Sequence, residues 1–174
     1  MHMSGEAGGI ANTGALLING TPLRVYEGEP LEWSHYAVTQ LACNEEITET
    51  DIQSGGTVVA GVFHGSSPED IKADLVSDNC NAPVYLLGVN TVTGPEQYRI
   101  YATALGDSNI AQRHGFVRLF GRTPDPLLIG AWPDNTSATL SIWPCAEAFH
   151  TMYISDWYQQ DILPLRKDSA RYRL

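Results

Sequence analysis

Short apolar runs rich in β-branched and aromatic residues, each closed by Gly, Pro, Asn or Asp, recur along most of this chain and predict β-strands. Ala15-Leu16-Leu17-Ile18 and residues 21–26 flank Asn19-Gly20, and the tolerance of those two residues for positive φ predicts a hairpin. Residues 31–43 favour a strand, though Tyr36, Val38 and Leu41 would also fit a helix turn. Residues 56–64, an apolar run that opens on glycine, read as a strand inside a sheet. Three more strands are predicted at 84–92, 97–105 and 114–121, separated by Thr93-Gly94-Pro95 and Gly106-Asp107-Ser108-Asn109. Two further strands, 127–132 and 137–143, are joined by Pro133-Asp134-Asn135-Thr136.

One helix interrupts this rhythm. Ser67 is placed to cap it, Pro68 suits its first position, and Glu69 and Asp70 complement its dipole. Ile71, Leu75 and Val76 give it one apolar stripe over residues 68–77. Residues 156–163 offer a turn or two more of helix before Pro164. Regular short strands with turn residues between them predict an all-β fold, an antiparallel two-sheet jelly-roll sandwich with one short helix between strands. Residues 1–13, small and polar, read as an N-terminal arm, 14–165 as the sandwich domain, and 166–174 as a basic C-terminal tail.

Composition sharpens this picture at a few points. The 174 residues suffice for one good core, and with 43% hydrophobic and 17% charged residues the chain has the apolar content of a folded domain. No run is long and apolar enough to span a bilayer, and the opening Met1-His2-Met3-Ser4-Gly5-Glu6 lacks the basic and apolar regions of a signal peptide. The chain is therefore expected to be soluble and unprocessed, with no membrane partner. Cys43, Cys80 and Cys145 stand far apart with no CxxC pair, which excludes a zinc ribbon or a dense disulfide framework and favours reducing surroundings. Asn19-Gly20-Thr21 and Asn135-Thr136-Ser137 match a glycosylation pattern but sit where turns belong. The net charge of −10 is uneven: residues 1–98 hold 13 acids against Arg24 and Lys72, while 99–174 hold seven acids against eight bases.

Catalytic signatures are absent: there is no GxGxxG, P-loop, GxSxG or HExxH, so no catalytic residue or cofactor is assigned and the chain reads as a non-enzyme. His35, His64, His114 and His150 are too dispersed for a histidine pair of metal-binding spacing. Glu45, Glu46, Glu49 and Asp51 form a compact acidic group, and Asp70, Asp74 and Asp78 recur on one helix face. Such oxygen ligands suit Ca²⁺ at subunit contacts, against the simpler reading of a solvated acidic surface. Arg166, Lys167, Arg171 and Arg173, opposed only by Asp168, are the candidate phosphate contacts.

The stretch 56–93, an apolar strand, a Ser-Pro opened helix, a turn and another apolar strand, resembles the middle of single jelly-roll coat proteins of small icosahedral positive-strand RNA viruses, tymovirus-like coats in particular. Residues 115–121 and Ser137-Ala138-Thr139-Leu140-Ser141-Ile142 look like the final strands of such a roll. The resemblance implies a structural coat protein that self-assembles with copies of itself into an icosahedral shell. It also implies location in the virion, with assembly in the host cytoplasm, and contact with genomic nucleic acid through the tail. The arm departs from many such coats in carrying no Lys or Arg. A β-sandwich binding module, for virion decoration, receptor or carbohydrate, is the second expectation, and a small β-barrel enzyme the third.

Overall fold

The computed structural model describes residues 82–173 without a break, and before them the strand segments 2–4, 9–10, 15–20, 35–40, 52–53 and 58–61 with Tyr26, Gly28, Phe63 and Cys80. In chain order the strands are β1 (His2–Ser4), β2 (Gly9–Ile10), β3 (Ala15–Gly20), β4 (His35–Gln40), β5 (Ile52–Gln53), β6 (Val58–Gly61), β7 (Val84–Val92), β8 (Val117–Arg122), β9 (Leu127–Ile129), β10 (Thr136–Trp143) and β11 (Ala170–Arg173). The helices are α1 (Pro95–Asp107), α2 (Ile110–His114), α3 (Ala146–Tyr153), and a π-helical turn, Tyr158–Ile162, that runs into α4 (Leu163–Lys167).

The expected all-β two-sheet jelly roll is corrected to a mixed α/β architecture, because helices fill much of the chain beyond residue 93. The chain divides into two compact units, one within residues 1–64 and 123–133, the other within 65–122 and 134–172.

The first unit contains a five-stranded sheet in the order β3-β4-β1-β6-β9 and a small β2-β5 pair. The apolar β6 lies between β1 and β9, an interior position that suits its run of Val58, Val59 and Ala60. Residues 2–4, expected in the arm, pair with β4 on one side and β6 on the other. The expected hairpin at Asn19-Gly20 is also corrected. Both residues continue β3 and face β4, Asn19 opposite Ala37 and Gly20 opposite Tyr36. The predicted helix at 68–77 lies outside the described residues.

The second unit is built on a four-stranded sheet, β11-β7-β10-β8. All eight residues of β10 pair antiparallel with β7, from Thr136 opposite Thr91 to Trp143 opposite Val84. On its other edge β10 pairs antiparallel with β8, with a bulge between Leu140 and Ser141. Ala138, Leu140 and Ile142 project to one face of the sheet and are almost wholly buried. Thr139, Ser141 and Trp143 project to the other.

The strand expected at 97–105 is helix α1. Pro95 occupies its first turn with Glu96, and Tyr98, Tyr101, Ala104 and Leu105 form the half-buried stripe of a 3.6-residue period. Residue 94 must stay small: a Cβ on Gly94 would lie 2.9 Å from the Asp168 carbonyl oxygen. The backbone N–H groups of Thr93 and Gly94 both donate to the Ser169 carbonyl, at 3.0 Å each, so the start of α1 is tied to the turn before β11. Helix α2 is bounded by Asn109 and Gly115, both left-handed, which confines it to five residues. Helix α3 follows Cys145 and buries Phe149 and Met152 on one face. A disulfide joins Cys145 to Cys80, a pairing that the wide cysteine spacing and the reading of reducing surroundings did not anticipate.

Candidate ligand cavity of the second unit

The helices of the second unit do not close fully on the sheet face that carries Thr139, Ser141 and Trp143. A partly open cavity of about 110 Å³ remains there. Its floor comes from three strands. On β7, Leu86, Gly88 and Asn90 line it, on β10 Thr139, Ser141 and Trp143, and on β8 Arg118. The register explains the hollow: Thr139 stands directly opposite Gly88 on β7, which projects no side chain beside it, whereas on β8, opposite Gly121, the Arg118 side chain reaches over, its Cδ 3.3 Å from where a Cβ on Gly121 would lie. Gly88 is itself buried.

The walls are aromatic. Tyr101 and Leu105 come from α1, Phe149, Met152 and Tyr153 from α3, and Tyr158 from the π-helical turn. Trp143 stacks on Phe116 at 4.4 Å between ring centroids and meets the edge of Phe149 at 5.2 Å, geometries typical of favourable aromatic pairs. Its Nε1–H donates to the Ser141 hydroxyl at 3.0 Å. The inserted residue of a π-helical turn, a feature frequent at functional sites, sets the phase at which Tyr158 and Ile162 turn inward, both buried.

Arg166 is the largest buried polar side chain on this wall, 1% exposed. Its Nη1 donates to the Tyr158 hydroxyl at 2.7 Å, and its guanidinium lies 3.9 Å from the centre of the Tyr172 ring. The Tyr172 hydroxyl in turn shares a 2.7 Å hydrogen bond with Ser169 Oγ, which is fully buried and bonded to the Arg166 carbonyl oxygen. Burial pushes the Tyr172 phenol up to about 12 and, with the Tyr158 phenol beside it, pushes Tyr101 higher still. Both phenols therefore stay protonated near neutrality, available as donors and not as bases. Among the described residues no Asp or Glu lines the cavity.

Asn90 is the singular group of the floor. It is 7% exposed, its Nδ2 lies 3.4 Å from Thr139 Oγ1, and its Oδ1, fully buried, has no hydrogen-bond partner among the described residues. An orphaned buried carbonyl costs about 1–3 kcal/mol relative to a bonded one, so a partner brought to it by a turn of the Asn90 side chain would be favoured.

The expected site residues distribute differently. Glu45, Glu46, Glu49 and Asp51 lie outside the described residues, as do Asp70, Asp74 and His64. Of the basic tail, Arg166 turns into the cavity wall, whereas Lys167, Arg171 and Arg173 are exposed, the latter two on the outward face of β11. His114 packs 6.4 Å from the Trp143 ring, and burial followed by the Arg113 charge holds its pKa below the ordinary value. His150 Nδ1, on α3, is buried without a hydrogen-bond partner among the described residues. No group of three His, Cys, Asp or Glu that would hold a metal occurs among the described residues, and none of their helices is long and apolar enough to cross a membrane.

Sequence reasoning passed over Asn90, Thr139 and Ser141. The available signals were a Gly and an Asn inside the otherwise apolar run 84–92, and hydroxyls alternating with Leu140 and Ile142 in β10. Comparison with protein-family models, with curated proteins and with solved structures finds no match.

Proposed function

We propose that the second unit is a binding module whose cavity takes a small, ring-shaped organic molecule. The observation that carries this reading is the aromatic-walled hollow beside Thr139, floored by a buried Asn90 carbonyl that lacks a partner. A cavity of about 150 Å³ in another protein accepts benzene, so a hollow of about 110 Å³ with an open side matches a five- or six-membered ring. Apolar walls with a few placed polar groups are the usual composition of small-molecule sites. A sugar-binding platform would instead offer exposed aromatic rings; here Trp143, Phe149 and Tyr158 are each at most 4% exposed.

The binding-module reading takes precedence over the coat reading, which drew its support from a jelly roll that the fold does not have. Size-exclusion chromatography with negative-stain microscopy separates them: shells or large rings would restore the coat reading, and a small soluble species is expected. Binding itself is tested by recording amide spectra of the protein during titration with benzene, toluene and phenol. Saturable shifts centred on Gly88, Thr139 and the residues of α1 are expected. Shifts scattered over the surface, or none, would refute the reading.

A further inference from the structure

Resting on that reading, we infer that the Asn90–Thr139 pair selects the ligand, and that it recognises an amide edge, an N–H beside a C=O, carried in a five- or six-membered ring such as a lactam, a cyclic imide or a pyridone.

Thr139 Oγ1 accepts the Asn90 Nδ2–H, which leaves the Thr139 O–H as a donor, while Asn90 Oδ1, buried and unpartnered among the described residues, is an acceptor that a ligand reaches once the Asn90 side chain turns toward the hollow. One acceptor and one donor are thus held side by side on two side chains 3.4 Å apart. Turning the Asn90 amide over exchanges the roles and preserves the pairing: Nδ2–H becomes the free donor and Thr139 Oγ1 the free acceptor. A ligand group complementary to both arrangements must carry one donor and one acceptor on adjacent atoms, as a cis-amide does. A ketone or ether supplies no donor, and an amine no acceptor.

The surroundings restrict what bears that edge. Gly88 opposite Thr139 leaves open floor on the β7 side, the Arg118 side chain bounds it on the β8 side, and Tyr101, Trp143 and Tyr158 are among the aromatic lining. Arg118 and Arg166 in the lining, with no carboxylate among the described lining residues, disfavour a cationic ligand. The Ser141 hydroxyl, which accepts from Trp143, keeps its own proton for a second acceptor on the ring, such as the far carbonyl of an imide.

The test compares matched rings on the intact protein by amide-shift titration. 2-Pyrrolidinone and 2-pyridone are set against cyclopentanone and benzene, which lack the edge, and against 1-methyl-2-pyrrolidinone, in which the N–H is blocked. Two hydrogen bonds to otherwise desolvated groups predict roughly tenfold or greater preference for the lactam over cyclopentanone. N-methylation should remove that preference. Asn90→Leu should equalise the two rings, and the milder Thr139→Val should reduce the preference roughly fivefold even if the leucine variant fails to fold. Equal binding of cyclopentanone and 2-pyrrolidinone would overturn the amide-edge assignment while leaving the cavity as a binding site. Binding of none of these rings would remove both.

Discussion

Reduction of the Cys80–Cys145 disulfide gives a stability change whose size follows from the chain. The bond joins residues 65 positions apart in the sequence. Closing an unfolded loop of that length removes conformational entropy worth about 4 kcal/mol, nearly half of the stability of a typical domain. Cys145 also sits at the N-terminus of α3, whose Phe149 and Met152 wall the cavity, so its release acts on the second unit and on the layer covering the site. Urea unfolding followed by tryptophan fluorescence suits the measurement, since Trp143 is 2% exposed and will report its release to water. With a urea slope of about 2 kcal/mol per molar, the midpoint should fall by about 2 M on adding a phosphine reductant. The Cys80→Ala, Cys145→Ala double variant should match the reduced parent and be indifferent to reductant. Thiol titration of the unfolded, unreduced parent should find one free cysteine. Three reactive thiols, or a midpoint unmoved by reductant, would refute the reasoning.

Other perturbations have equally definite signs. The depressed pKa of His114 means that folding favours its neutral form while the unfolded chain takes up a proton near the ordinary value of about 6.5. Its contribution to stability is therefore present above that pH and lost as pH falls below it, and His114→Gln should flatten this part of the stability profile. Gly94→Ala places a methyl group against the Asp168 carbonyl and should cost about 1–3 kcal/mol, read as a lowered thermal midpoint. Ser169→Ala removes the hydroxyl that bonds the Arg166 carbonyl and the Tyr172 phenol at a fully buried position, and a loss of about 1–3 kcal/mol in urea unfolding is expected.

Strands with strong local patterns were legible in the sequence: 84–92 coincides with β7, and 137–143 falls within β10. Residues 97–105 misled because a short run with apolar and aromatic residues between two turn signals, Thr93-Gly94-Pro95 and Gly106-Asp107-Ser108-Asn109, reads as a strand. The competing Tyr98, Tyr101, Leu105 stripe and the Pro95-Glu96 start favour helix, and Ile100 is accordingly left 42% exposed. The C-terminal bases suggested a charged tail, yet Ala170 and Tyr172 are buried in alternation with Arg171 and Arg173, the period of an amphipathic strand. Arg166 was grouped with them by charge, while its burial depends on Tyr158 and Tyr172, a tertiary arrangement. The cavity floor depends on register. That Gly88, Thr139 and Gly121 align across three strands follows from pairing, and a shift of one residue would turn Thr139 toward the opposite face of the sheet.

Titration of the parent and of Gly88→Val with 2-pyrrolidinone, followed by amide chemical shifts, tests most directly whether this hollow is a binding site. Valine at position 88 projects its side chain into the space beside Thr139 that glycine leaves empty. Saturable shifts centred on Asn90, Thr139 and Ser141 in the parent, abolished in a Gly88→Val protein that keeps a folded spectrum, are the predicted result. Absence of saturable shifts in the parent, or equal binding by the folded variant, would contradict it.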